Sequence, residues 1–126
     1  MRRLLDTHVL LWWLTDDRRL GAGVREVMEA PSTQMLVSSV TVAEIATKIS
    51  LGKLPSQPDL LDQLAEEGFV ELPFTHAHAA ALEGLPMHHR DPFDRMLVVQ
   101  AQLESLTLVT ADPRCTAYDV ATLSTG

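Results

Sequence analysis

An α/β sandwich with a central parallel sheet of four to five strands, flanked by helices, is the fold class these 126 residues predict. Two observations carry it. Short apolar runs alternate with segments of helical periodicity, the signature of parallel pairing through crossover helices. The runs are apolar throughout rather than at every second residue, as strands buried on both faces require. No linker, repeat or low-complexity tract divides residues 1–126, so a single domain is expected.

In chain order, residues 2–5 form a buried strand, and residues 8–14 a short apolar helix bounded by Asp16-Asp17. Residues 23–30 form a second helix, with Val24, Val27 and Met28 at helical spacing and Pro31 as its stop. Residues 35–38 are the next strand. A helix over 41–51 follows, with Val42, Ile45 and Ile49 on one face and Gly52 as terminator. Leu60, Leu61, Leu64 and Ala65 mark a helix ended by Gly68, and 69–72 a third strand. A small Ala-rich helix occupies 76–82. Phe93, Met96, Leu97 and Ala101 are in phase on a helix over 93–103. Residues 106–109 are the fourth strand and 120–123 a candidate fifth.

Composition narrows the function classes. The net charge of −7 argues against binding nucleic acid through bulk positive charge. It leaves open an enzyme that meets phosphates through metal ions. Cys115 is the single cysteine, which rules out an internal disulfide framework and suits a reducing compartment. The apolar run after Asp6 and His8 is too short for a signal peptide, and no stretch approaches a membrane span. A soluble, cytoplasmic protein is expected.

In parallel α/β sheets, ligands bind at the carboxyl ends of the strands. Asp6-Thr7-His8 follows the first strand, and Ser38-Ser39-Val40-Thr41 the second, with Glu44 one turn into the next helix. Thr110-Ala111-Asp112 follows the fourth. The helix feeding that strand opens Asp91-Pro92-Phe93-Asp94. Helix starts share an edge with strand ends, so these acids can converge.

Each acid also has a local explanation. Thr41-x-x-Glu44 matches a capping box. Asp91-Pro92 and Asp112-Pro113 read as N-caps followed by proline at the first helical position. Acids in a first turn suit the helix dipole. Asp6 resists this account best, because it ends an apolar strand, although it or Thr7 could cap the next helix. Acids gathered in one cleft would raise one another's pKa unless a cation neutralised them. Oxygen donors alone suit Mg²⁺ or Mn²⁺ rather than Zn²⁺.

Four segments are similar, in order, to the motifs of PIN-domain nucleases, specifically the VapC-type toxins of bacterial toxin–antitoxin pairs. They are Leu4-Leu5-Asp6-Thr7-His8, Ser38 through Ile45, Arg90 through Arg95, and Leu108-Val109-Thr110-Ala111-Asp112. Together they cover nearly the whole chain. The resemblance implies a PIN-like sandwich, one or two Mg²⁺ or Mn²⁺ ions, and endonucleolytic cleavage of RNA. It implies that Asp6, Glu44, Asp94 and Asp112 are the catalytic, metal-binding acids, supported by Thr110 and Thr7. It also implies a homodimer and inhibition by an antitoxin whose tail enters the acidic cleft. Asp94 matches the family acid that opens the long helix, so Asp91 is taken as a cap that also shapes the site.

The surrounding residues are less distinctive. His88 and His89 are read as a solvated loop. Arg90 and Arg95 are the better phosphate contacts, because guanidinium pairs bidentately, although either could instead hold Asp91 or Asp94. On a helix, Trp12 and Trp13 point about 100° apart, which places one in the core and frees the other. Lys48 and Lys53 suit the C-terminal dipole of the Glu44 helix. Two other functions compete. A Mg²⁺-dependent phosphatase or phosphotransfer domain would want a Lys near a later strand end, where Thr110-Ala111-Asp112 offers none. A non-enzymatic binding module would use the acids only as caps.

Overall fold

The computed structural model describes residues 1–125. Five parallel strands, β1 (Arg2–Leu5), β2 (Gln34–Ser38), β3 (Val70–Leu72), β4 (Thr107–Thr110) and β5 (Thr122–Ser124), form one sheet in the order β3-β2-β1-β4-β5. The helices are α1 (Thr7–Leu14), α2 (Ala22–Glu29), α3 (Ser39–Ser50), α4 (Leu60–Glu66), α5 (His76–Ala81) and α6 (Pro92–Glu104). Short 3-10 turns cover Leu82–Gly84 and Pro113–Ala117.

Side chains alternate across a strand, so adjacent apolar residues must enter different layers. Leu4, Leu36 and Leu108 pack with Leu97, Val98, Ala101, Cys115 and Tyr118 on one face. Leu5, Val37 and Val109 pack with Val9, Leu10, Val24, Met28 and Ile45 on the other. Leu4, Leu5, Leu108 and Val109 are fully buried. The uninterrupted apolar strands thus serve two cores, as the pattern predicted.

Crossovers explain the strand order. The chain leaves β1 for β2 and then β3 in one direction, with α1 to α4 supplying the second layer. It then returns through α5 and α6 over the opposite face to place β4 against β1. Right-handed crossovers require this change of face when the direction reverses. The reversal leaves a crevice between the carboxyl ends of β1 and β4, the topological switch point.

Two helices begin earlier than their sequence-based bounds, each because of its cap. α3 begins at Ser39 rather than Thr41, because the Ser38 hydroxyl caps it by accepting from the Val40 N–H at 2.9 Å. α1 begins at Thr7, capped by Asp6. Trp12 and Trp13 are both half-buried, each under a guanidinium, Arg19 at 5.1 Å and Arg25 at 5.2 Å from the ring centres. Neither indole is the free one expected. Gly52 and Gly68 end α3 and α4 with φ of 72° and 76°, a backbone region that favours glycine. Among the described residues, no helix is long and apolar enough to cross a membrane.

Candidate active site at the β1–β4 crevice

Asp6 sits where β1 runs out. Its N–H still donates to the Val109 carbonyl at 3.0 Å, the last tie to β4. Its carboxylate caps α1 by accepting from the Val9 N–H at 2.8 Å, and the Thr110 hydroxyl bonds it from the neighbouring strand end. The residue is 3% exposed. Burial pushes its carboxyl above the usual carboxylate range, and these hydrogen bonds only partly offset that.

Glu44 approaches from α3. Because that helix starts at Ser39, Glu44 lies beyond the first turn and has no N–H to cap. The expected Thr41–Glu44 capping box does not form. One carboxylate oxygen accepts from the Thr7 hydroxyl at 2.7 Å, and the other takes the Lys48 ammonium at 2.6 Å. Lys48 is thus drawn to Glu44 one turn back, which a reading based on the helix dipole alone did not anticipate. Thr7 and Glu44 are both buried.

Asp91 caps α6, as its sequence context predicts. Its Oδ1 accepts from the Phe93 and Asp94 N–H groups at 2.8 and 3.1 Å. Asp94 is thereby released from capping and faces the cleft. Its carboxyl is pushed up to about 6, first by burial and then by the carboxylates of Asp91, Asp6 and Glu44, with His89 opposing.

Asp112 caps the 3-10 turn after β4, accepting from the Arg114 N–H at 2.9 Å. The Arg114 guanidinium grips both carboxylate oxygens, at 3.1 and 2.9 Å. That contact comes first among the causes holding Asp112 down to about 2. Thr110 links the two strand ends, accepting from the Asp112 N–H at 3.0 Å while bonding Asp6.

Capping therefore accounts for Asp6, Asp91 and Asp112, but not for Glu44 or Asp94. His89 was read as solvated and is instead 3% exposed. Its Nε2 lies 2.8 Å from Asp112 Oδ2 and 3.0 Å from Asp94 Oδ2. His88 fits the solvated reading, exposed and edge-on to Tyr118. Arg95 is buried, and its guanidinium donates to the carbonyls of Leu85 and Pro86 and to the Tyr118 hydroxyl. It holds the loop before α6 rather than facing phosphate, and it holds neither Asp91 nor Asp94. Arg90 is exposed and forms no ion pair among the described residues. Arg114 escaped the sequence reading, although its place two residues after a capping Asp was a usable signal.

The donors fit a hard divalent cation. The carboxylates repel one another, and Asp6 and Asp94 have no Lys or Arg partner among the described residues. Nε2 of His89 and one oxygen each of Asp94 and Asp112 all lie within 4.8 Å of one another, which brings those two carboxylates close enough to share an ion.

A parallel five-stranded sheet with acids at its switch point defines a class of fold, and the comparisons identify it. The PIN domain family profile matches residues 3–121, and the chain belongs to that family. VapBC2 from Rickettsia felis, solved bound to a DNA fragment from its promoter, has a similar fold, with TM-score 0.74, 15% identity and 98% of both chains covered. A toxin–antitoxin complex from Klebsiella pneumoniae matches with TM-score 0.69 at 18% identity, again over 98% of both chains. FitAcB from Neisseria gonorrhoeae matches with TM-score 0.69 at 24% identity, over 98% of this chain and 97% of that one. These identities establish a shared fold and no more. No curated protein matches the chain.

Proposed function

We propose that this PIN domain is a Mg²⁺- or Mn²⁺-dependent endoribonuclease and acts as the toxin of a toxin–antitoxin pair. The observation that carries the reading is the gathering of acids at one strand-end edge: oxygens of Asp94 and Asp112 lie within 4.8 Å of each other, and burial and the charges of Asp91, Asp6 and Glu44 raise Asp94. Such a cluster is costly without a cation and suits an oxygen-liganded one. In this reading Asp6, Glu44, Asp94 and Asp112 hold the ion. When bound, Mg²⁺ or Mn²⁺ supplies an activated water and charge for the leaving oxygen of a phosphodiester.

The chain's own residues then have distinct tasks. Thr7 and Lys48 fix both oxygens of Glu44, so its carboxylate is aimed before any ligand arrives. Thr110 keeps Asp6 and Asp112 in register across the crevice. Arg90, exposed beside Asp91, is available to an RNA phosphate. The toxin role, an antitoxin partner and a homodimer rest on the VapC-type resemblance. The toxin–antitoxin complex solved for a protein of this fold supports the first two.

The direct test is cleavage of a mixed RNA panel with Mg²⁺, with EDTA, and with Asp6→Asn. Cleavage should require the metal and be lost in the variant. Cleavage that survived both chelation and substitution would overturn the proposal.

A further inference from the structure

We propose that His89 is a positioning residue, not a metal ligand: its Nε2–H holds the carboxylate of Asp112 beside that of Asp94, at the spacing a cation needs. The proposal rests on the metal-site reading above and adds to it which nitrogen-bearing residue stays out of the coordination sphere.

The tautomer follows from the other ring nitrogen. The Asp91 backbone N–H donates to His89 Nδ1 at 3.1 Å. A backbone amide can only donate, so Nδ1 must present its lone pair. The ring proton is then on Nε2. That atom donates to Asp112 Oδ2 at 2.8 Å, with Asp94 Oδ2 3.0 Å away, and meets no donor among the described residues. A nitrogen that carries a proton has no lone pair for a metal. For Nε2 to ligate, the proton would have to move to Nδ1, where it would oppose the Asp91 N–H.

The surroundings keep the ring there. The His89 side chain is 2% exposed. The backbone N–H groups of His88 and His89 both donate to the Tyr118 hydroxyl, at 3.1 and 2.9 Å. Arg95 contacts the same hydroxyl at 3.3 Å while tying down the carbonyls of Leu85 and Pro86. Arg95 and Tyr118 therefore act on the site at one remove, by fixing the histidine that fixes the acids. Removing a hydrogen-bond donor that holds a metal's carboxylate ligand commonly changes metal affinity by about 10- to 100-fold.

Calorimetric titration with Mg²⁺ alone, on the wild type, His89→Ala, His89→Gln and Asp94→Asn, tests the proposal together with thermal melts. We expect His89→Ala to weaken Mg²⁺ binding by about 10- to 100-fold. His89→Gln, whose amide N–H can occupy the Nε2 position, should recover most of the affinity. Asp94→Asn should lose binding. Long-range proton–nitrogen correlation on the labelled wild type should find the proton on Nε2 both before and after Mg²⁺ is added, a readout that does not depend on any variant folding. A proton that leaves Nε2 on Mg²⁺ binding overturns the proposal and makes His89 a ligand. Wild-type affinity in His89→Ala, with binding lost in Asp94→Asn, overturns it while sparing the metal site. Wild-type affinity in Asp94→Asn removes the metal site and the proposal together.

Discussion

Asp6 and Asp112 follow adjacent strands, and each caps the helical turn that comes next, yet their surroundings drive them apart. Asp6 is 3% exposed and has no Lys or Arg partner among the described residues, so burial raises its carboxyl. Asp112 lies at the rim, gripped by Arg114 and touched by His89, and is held down to about 2. The same residue type in the same local geometry thus forms a charge-averse inner half and a charge-ready outer half. Local sequence context sets the cap. The depth of the strand end and one guanidinium set the electrostatics.

The largest expected effect comes from removing each charge in turn. Asp6→Asn should lower RNA cleavage by more than about 100-fold while the metal-free protein melts at a higher temperature. The amide keeps the cap and discards a buried charge. Asp112→Asn should also lose cleavage, but without that gain, because it gives up the Arg114 contact. Equal melting shifts for the two would erase the contrast.

A smaller effect should appear in the pH dependence of the metal-free protein. Asp94, pushed up to about 6, and Asp6, raised as well, bind protons more readily folded than unfolded. Folding is therefore favoured as pH falls through about 6 toward the ordinary carboxylate range. Asp112 does the reverse: its contribution is present above the ordinary 3.8 and is lost as pH falls toward about 2. The melting temperature should rise between about pH 7.5 and about pH 5.5, and saturating Mg²⁺ should flatten that rise. A metal-free melting temperature that fell over this interval would contradict the assignment.

Arg114→Ala should be gentler. Carboxylate NMR titration should find Asp112 back near the ordinary range, with the thermal midpoint little changed, since exposed ion pairs contribute little. The smallest signal belongs to Cys115, buried beneath the site, whose thiol is pushed up to about 12 by burial and then by neighbouring acids, Asp94 foremost. Only on the order of 1 in 10⁴ molecules should carry the thiolate at about pH 8, so alkylation of the folded protein should be very slow. Asp94→Asn should speed it, because it removes the largest of those negative charges.

Most of the fold was legible because two-sided burial leaves a plain record. Leu4-Leu5, Leu36-Val37 and Leu108-Val109 each announce a strand covered on both faces. Gly52 and Gly68 mark helix ends by their backbone freedom. The acids were legible as a group, but their individual caps were partly misread. Glu44 looked like half of a capping box only because Thr41 was taken for the helix start, and Ser38 had already begun that helix. His89 was opaque for a different reason. Its burial depends on Tyr118, 29 residues away, and its partner Asp112 is 23 residues away. Neither distance leaves a periodic trace. Arg95 misled because guanidinium suits carbonyls and phosphates equally well, and only the fold chooses between them.

The position of β1 also dictates when the acid cluster can exist. Leu4 pairs with Leu36 on one side and with Leu108 on the other. The central strand thus waits for one of the last strands before its second edge is filled. Contacts of such long sequence separation form late and make folding slow. On the ribosome, Asp6 meets neither Thr110 nor Val109, whose carbonyl accepts its N–H, until β4 has been translated. Synthesis itself keeps the site unassembled until β4 and the turn after it have emerged.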